Sequence, residues 1–136
     1  MHQRRRHALH GERGALAVEL AVVFPVLLLL VWIGFQLAFV FLANRVALAA
    51  AEEGARSARS YAGSAAAGDT RAHRFLAQLD SNVLLQPQVH AYRTSERAGV
   101  VVEGQTQQLV PGLGMVLHVR RAVDGPVERF RGDLGP

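Results

Sequence analysis

From Leu20 to Ala43 the chain runs for 24 residues without one charged side chain (LAVVFPVLLLLVWIGFQLAFVFLA). At 1.5 Å rise per residue, about 20 apolar residues carry a helix across the roughly 30 Å of bilayer hydrocarbon. The run meets that length with a small surplus. Gln36 is its one polar interruption, and Pro25 and Gly34 are tolerable in a membrane helix. A buried helix of a water-soluble core rarely needs so long an uninterrupted apolar stretch. The segment predicts a single membrane-spanning helix.

Flanking charge predicts its direction. Arg4, Arg5, Arg6 and Arg13 precede the run, whereas Arg45 on the far side is soon followed by Glu52 and Glu53. The positive-inside rule places residues 1–14 in the cytoplasm and the bulk of the chain, from residue 44 on, outside the inner membrane. An ordinary cleaved signal peptide, cut after Ala49 in the pattern Ala47-Leu48-Ala49, would release a soluble protein. Its apolar region would span about 7–15 residues, shorter than the run found here.

The remaining composition excludes more than it proposes. All 15 basic residues are Arg, yet residues 44–136 hold 11 Arg against nine Asp and Glu. The extracytoplasmic part is therefore nearly balanced, and no nucleic-acid partner is expected. The absence of Cys removes disulfides, thiolate metal sites, Cys nucleophiles and lipoprotein anchoring. His2, His7 and His10 lie in the basic leader, while His73, His90 and His118 share no ligand spacing of three or four. No G-x-S-x-G, P-loop or H-E-x-x-H motif occurs. No catalytic residue, metal or cofactor is expected, and no enzymatic activity.

Residues 13–19 read Arg-Gly-Ala-Leu-Ala-Val-Glu. Gly14 ends the basic leader, and Glu19 stands at the edge of the apolar run. A carboxylate near the start of a membrane helix is costly unless it is paired or close to the interface. The dipole of the first helical turns favours negative charge, and headgroup water alone could satisfy one Glu. The pattern also resembles the class III leader of type IV pilins and pseudopilins. That resemblance implies cleavage between Gly14 and Ala15 by a membrane prepilin peptidase on the cytoplasmic side. It also implies that Glu19 pairs with the freed amine of a neighbouring subunit.

A longer stretch narrows the resemblance. RGALAVE, the Phe24-Pro25-Val26-Leu27 step and the AAAEEGARSAR after the apolar run are similar to the N-terminal region of TadE-like proteins. These are minor pseudopilins of the tight-adherence (Tad/Flp) pilus system. Pro126–Arg131 (PVERFR) is reminiscent of actinobacterial members. The resemblance implies an inner-membrane, non-enzymatic component of pilus assembly or secretion. Its expected partners are membrane lipid, prepilin peptidase, other pilins or pseudopilins and the Tad assembly platform. An uncleaved, signal-anchored binding protein unrelated to pili is the alternative.

The helix is expected to continue past the membrane. Leu37, Phe41, Asn44, Leu48, Ala51, Ala55, Ala58 and Ala62 recur at spacings of four and three, a packing seam that fits either a second subunit or the chain's own head. Gly63 to Gly68 reads as a break. Asp69 or Thr70 then caps a second helix to about Leu85, with Ala72, Phe75, Leu76, Leu79 and Val83 on one face and Pro87 ending it. After that the period shifts toward two. Val89–Thr94, Val100–Gln107, Met115–Ala122 and Pro126–Arg131 are expected strands, with turns at Ala98-Gly99, Pro111-Gly112 and Asp124-Gly125-Pro126. The expected fold is α+β and single-pass, a long pilin-like helix followed by a short helix and a small antiparallel sheet. The expected division is a leader (1–14), a membrane helix (15–43), its continuation (44–62), a head (63–131) and a disordered tail (132–136).

Overall fold

The computed structural model describes residues 8–79, 82–107 and 116–129, with side chains from residue 14 onward. Helix α1 spans Ala8–Arg59 and contains Pro25. It is followed by helix α2 (Ala65–Leu79) and strands β1 (Leu84–Arg93), β2 (Arg97–Thr106) and β3 (His118–Pro126). The strands form one antiparallel sheet in the order β1-β2-β3. The long apolar helix, the short helix and the antiparallel sheet are thus the expected ones. The chain divides into two compact units, residues 1–37 and 38–136.

In the first unit the large apolar side chains of α1 from Leu16 to Leu37 are exposed, as a lipid-facing helix requires. In the second unit α1 changes character. Ala43, Ala47, Ala50, Ala51, Ala55 and Ala58 are completely buried, joining Ala72 of α2 and Leu84, Val89, Val100, Val102 and Val119 of the sheet in one core. Val46, Phe75, Leu76, Val83, Ala91 and Val123 pack around it. Alternate residues of the central strand face this core, Ala98, Val100, Val102, Gly104 and Thr106, which is the period of two that marked it as a strand.

Two glycines set how closely the helices approach. A β-carbon on Gly54 of α1 would lie 2.8 Å from the carbonyl oxygen of Gly68 in α2 and 3.0 Å from a methyl of Val100. The expected break at Gly63–Gly68 is therefore shorter than the sequence suggests. Gly68 is inside α2, buried against α1. The helix starts earlier because Ser64, and neither Asp69 nor Thr70, is its cap: the Ser64 hydroxyl accepts the Ala67 N–H at 3.0 Å.

The strand boundaries also differ from expectation. β1 begins at Leu84, within the stretch expected to be helical, and passes through Pro87 with a register shift between Leu85 and Gln88. Gln86 adopts a positive φ of 48° there. Proline is compatible with this position because β1 is an edge strand and the bulge takes up the missing donor. Ala98 and Gly99 are not a turn but the start of β2, paired with Gly125 and Asp124. The hairpin turn is Thr94–Glu96, where the Thr94 hydroxyl accepts the N–H groups of Glu96 (3.3 Å) and Arg97 (3.0 Å). Asp124-Gly125-Pro126 ends β3 in the same ladder, so Pro126 closes a strand and does not open one. Residues 127–129 are not a strand, although Val127 donates to the Glu96 carbonyl at 2.9 Å. The expected turn at Pro111-Gly112, the start of the third strand at Met115 and the tail 132–136 lie outside the described residues.

The C-terminus of α1 is held by the head. Carbonyls in the last turn of a helix lack intrahelical donors. The Arg93 guanidinium donates to those of Ala58 and Ser60, the latter at 3.0 Å, and the Glu128 N–H donates to that of Arg59 at 2.9 Å. Gly63 follows, where a β-carbon would strike the Ser57 carbonyl.

Candidate functional site

Gly14, Ala15 and Glu19 lie on α1 with exposed side-chain positions, and Gly14 has nothing within 4 Å of where a β-carbon would stand. They are also helical, since α1 begins at Ala8. The helical segment Gly14–Arg59 contains an apolar window long enough to cross a membrane, none of it buried within the protein.

The seam residues divide by unit. Leu37 is 63 % exposed in the first. In the second, Phe41 is 61 % exposed and Leu48 half-buried, while Ala51, Ala55 and Ala58 are fully buried. The alanine part of the seam thus packs on the chain's own head. Asn44 keeps its polarity within the helix by donating to the Val40 carbonyl at 2.9 Å. The Arg45 guanidinium stands 5.0 Å from the centre of the Phe41 ring. Ala47, the first residue of the A-x-A pattern, is helical and buried, so a cut after Ala49 would remove it and Ala43 from the core.

The sheet carries polar groups on the face away from the helices. Tyr92, Gly99 and Asp124 stand side by side across the three strands. The Tyr92 ring covers Gly99, whose β-carbon would lie 2.8 Å from the phenol oxygen. Arg97 donates to one Asp124 carboxylate oxygen from Nε (3.0 Å) and from its terminal nitrogen. Hydrogen bonding from Arg97 holds the Asp124 carboxyl below the usual range, aided by the Arg97 charge, Tyr92 and Arg59 and opposed by partial desolvation. Desolvation, with the neighbouring Asp124, pushes the Tyr92 phenol up. Further along the same two strands, Arg120 and Glu103 pair directly across β2 and β3 at 3.2 Å. Arg71 of α2 reaches Glu53 of α1 at 3.5 Å.

His73 approaches only Asp69, at 3.7 Å. Among the described residues no three His, Asp or Glu side chains converge as a metal site would require.

Sequence reasoning missed Gly54, Gly68 and Arg93, the residues that fix helix to head. The signal for the first two was present: Ala50, Gly54 and Ala58 repeat a small residue every four positions, the spacing at which one helix face accepts a close neighbour.

A family model described as TadE-like protein matches residues 14–56. No curated protein and no solved structure matches the chain. Across residues 14–56, the chain is therefore similar to TadE-like proteins, the family that its leader and helix residues resemble.

Proposed function

We propose that this chain is a minor pseudopilin of a Tad/Flp-type pilus, a non-enzymatic subunit anchored in the inner membrane with its head outside the cytoplasm. The observation that supports the reading best is the TadE-like match over 14–56, a segment that begins at the proposed cleavage glycine and includes Glu19 and the whole apolar run. The match suggests a component related to the Tad pilus.

In this role prepilin peptidase cuts between Gly14 and Ala15. The new Ala15 amine and Glu19 are then available at the membrane face, where a carboxylate is stable when a neighbouring cation neutralises it. Intact-mass measurement of the protein from a host with active prepilin peptidase tests the reading. A terminus at Ala15 is the expected result. Recovery of the Met1 terminus in such cells would overturn it in favour of a signal-anchored protein.

A further inference from the structure

The two edges of the sheet are built differently. The β1 edge is interrupted: Pro87 has no N–H, the register shifts between Leu85 and Gln88, and Gln86 takes a positive φ. A proline and a bulge stop any further strand from adding to an edge. β3 pairs with β2 from His118 to Pro126 without a shift, and among the described residues no strand lies on its other side.

The ladder decides which backbone groups β3 presents there. The Thr106 N–H donates to the Leu117 carbonyl and the Val127 N–H to the Glu96 carbonyl, so both of these facing pairs are hydrogen-bonded ones. Antiparallel pairs alternate between bonded and non-bonded. Between those two positions Val119, Arg121, Val123 and Gly125 therefore bond to β2. The N–H and C=O groups of His118, Arg120, Ala122 and Asp124 point away from the sheet.

Two neighbouring arginines stand on this edge. Arg120 lies beside Glu103 on the face away from the helices, and Arg121 beside Val102 on the other face. Arg120 pairs with Glu103, yet its side chain stays 71 % exposed. Arg121 is exposed, and among the described residues no carboxylate pairs with it. Asp124, the acid of the same strand, is engaged by Arg97. Pro87 turns away every strand, whereas the arginines turn away neutral and basic strands and accept an acidic one.

We infer that the outer edge of β3 is the docking site for an extended segment of another protein, one that carries two neighbouring acidic residues and joins the sheet as a fourth strand. Neighbouring side chains of a strand point to opposite faces, so one carboxylate meets Arg120 and the next meets Arg121. Main-chain bonds to Arg120, Ala122 and Asp124 supply affinity, and the arginines supply selectivity. A second copy of this chain does not meet the requirement. Its one pair of neighbouring acids, Glu52-Glu53, is helical, and Asp124 is already held.

The probe is a capped octapeptide of alternating Thr and Val with Glu-Glu at its centre, titrated into the full-length protein in detergent micelles. It should bind roughly fivefold more tightly than a Gln-Gln version, as two cross-strand ion pairs would give. Amide exchange followed by nuclear magnetic resonance should slow at Arg120, Ala122 and Asp124 and stay unchanged at Val119 and Val123. Ala122→Pro removes one outward donor and leaves the β2 ladder whole, so it should abolish binding without changing the thermal melt. Arg121→Glu should reverse the preference toward a Lys-Lys peptide, and it decides the matter if Ala122→Pro lowers the melt. Equal affinity for the Glu-Glu and Gln-Gln peptides overturns the acidic selectivity. Binding without slowed exchange at Arg120, Ala122 and Asp124 overturns strand addition, and no binding overturns the site, leaving the arginines as guards of the edge. A dimer of the full chain that sedimentation detects and Ala122→Pro dissolves overturns the assignment to another protein.

Discussion

Gly54 of α1 and Gly68 of α2 face each other so closely that neither can carry a side chain: a β-carbon on Gly54 would sit 2.8 Å from the Gly68 carbonyl, and one on Gly68 2.9 Å from the Gly54 carbonyl. Both obstacles are backbone, which cannot rotate aside. Gly54→Val is expected to lower stability by about 3 kcal/mol, the upper part of the usual range for overpacking. Gly34, with nothing within 4 Å, provides the contrast. Thermal unfolding of the purified full chain should show a marked loss for Gly54→Val and none for Gly34→Ala.

Val100 touches both glycine positions from the sheet and is fully buried. Truncation to Ala leaves a void that the crossing helices cannot close, because their own backbones already meet. Val100→Ala should cost about 2 kcal/mol. An unchanged denaturation midpoint would show that the sheet does not support the crossing.

Arg93 is half-buried and donates to two carbonyls at the end of α1. Hydrogen bonds from charged donors contribute about 1.5–3 kcal/mol, and Arg93→Met, which keeps much of the stem, should lose about that much. Hydrogen exchange should accelerate first at residues 56–60. Both bonds come from one terminal nitrogen, so Arg93→Lys, whose shorter side chain also ends in a multiple donor, should recover part of the loss.

Asp124 gives the head a pH dependence. Its carboxyl titrates lower when folded than in the unfolded chain, so its contribution is complete above the unfolded value of about 4 and disappears as pH falls through the lower native value. An acid titration followed by circular dichroism should show this loss in the native protein. In Asp124→Asn the corresponding part of the acid transition should be absent.

Glu19 tests the assembly role separately from processing. Glu19→Gln keeps size and polarity and removes the charge. The variant should be cut at Gly14–Ala15 like the native chain yet fail to co-purify with its pilin partners. Gly14→Val, by contrast, should retain the leader.

The long apolar helix was legible in the sequence because 24 uncharged residues admit few other structures. The head was harder to read at its glycines. Gly68 and Asp124-Gly125-Pro126 carry the local signature of breaks and turns, but their positions are decided by distant residues. Gly54 crosses Gly68, Tyr92 covers Gly99, and Arg59 fills the space beside Gly125. Pro87 carries the local signature of a helix stop, and the edge strand with a bulge that accepts it has no local pattern of its own. Ser64 is inconspicuous as a cap because the alanines after it have no period to mark a helix face.

The alanine-lined core has a consequence for biogenesis. The sheet's inner face is roofed by Ala47, Ala50, Ala51, Ala55 and Ala58, and these belong to the same helix as the long apolar run. Hydrophobic association is the main driving force for such a small head, and without those residues only Ala72, Phe75 and Leu76 of α2 remain to cover the sheet. The helix is synthesised first and serves as the template on which the later strands condense. A chain whose residues 44–59 are held elsewhere has no native head, so the sheet folds only once this stretch of α1 is free to receive it.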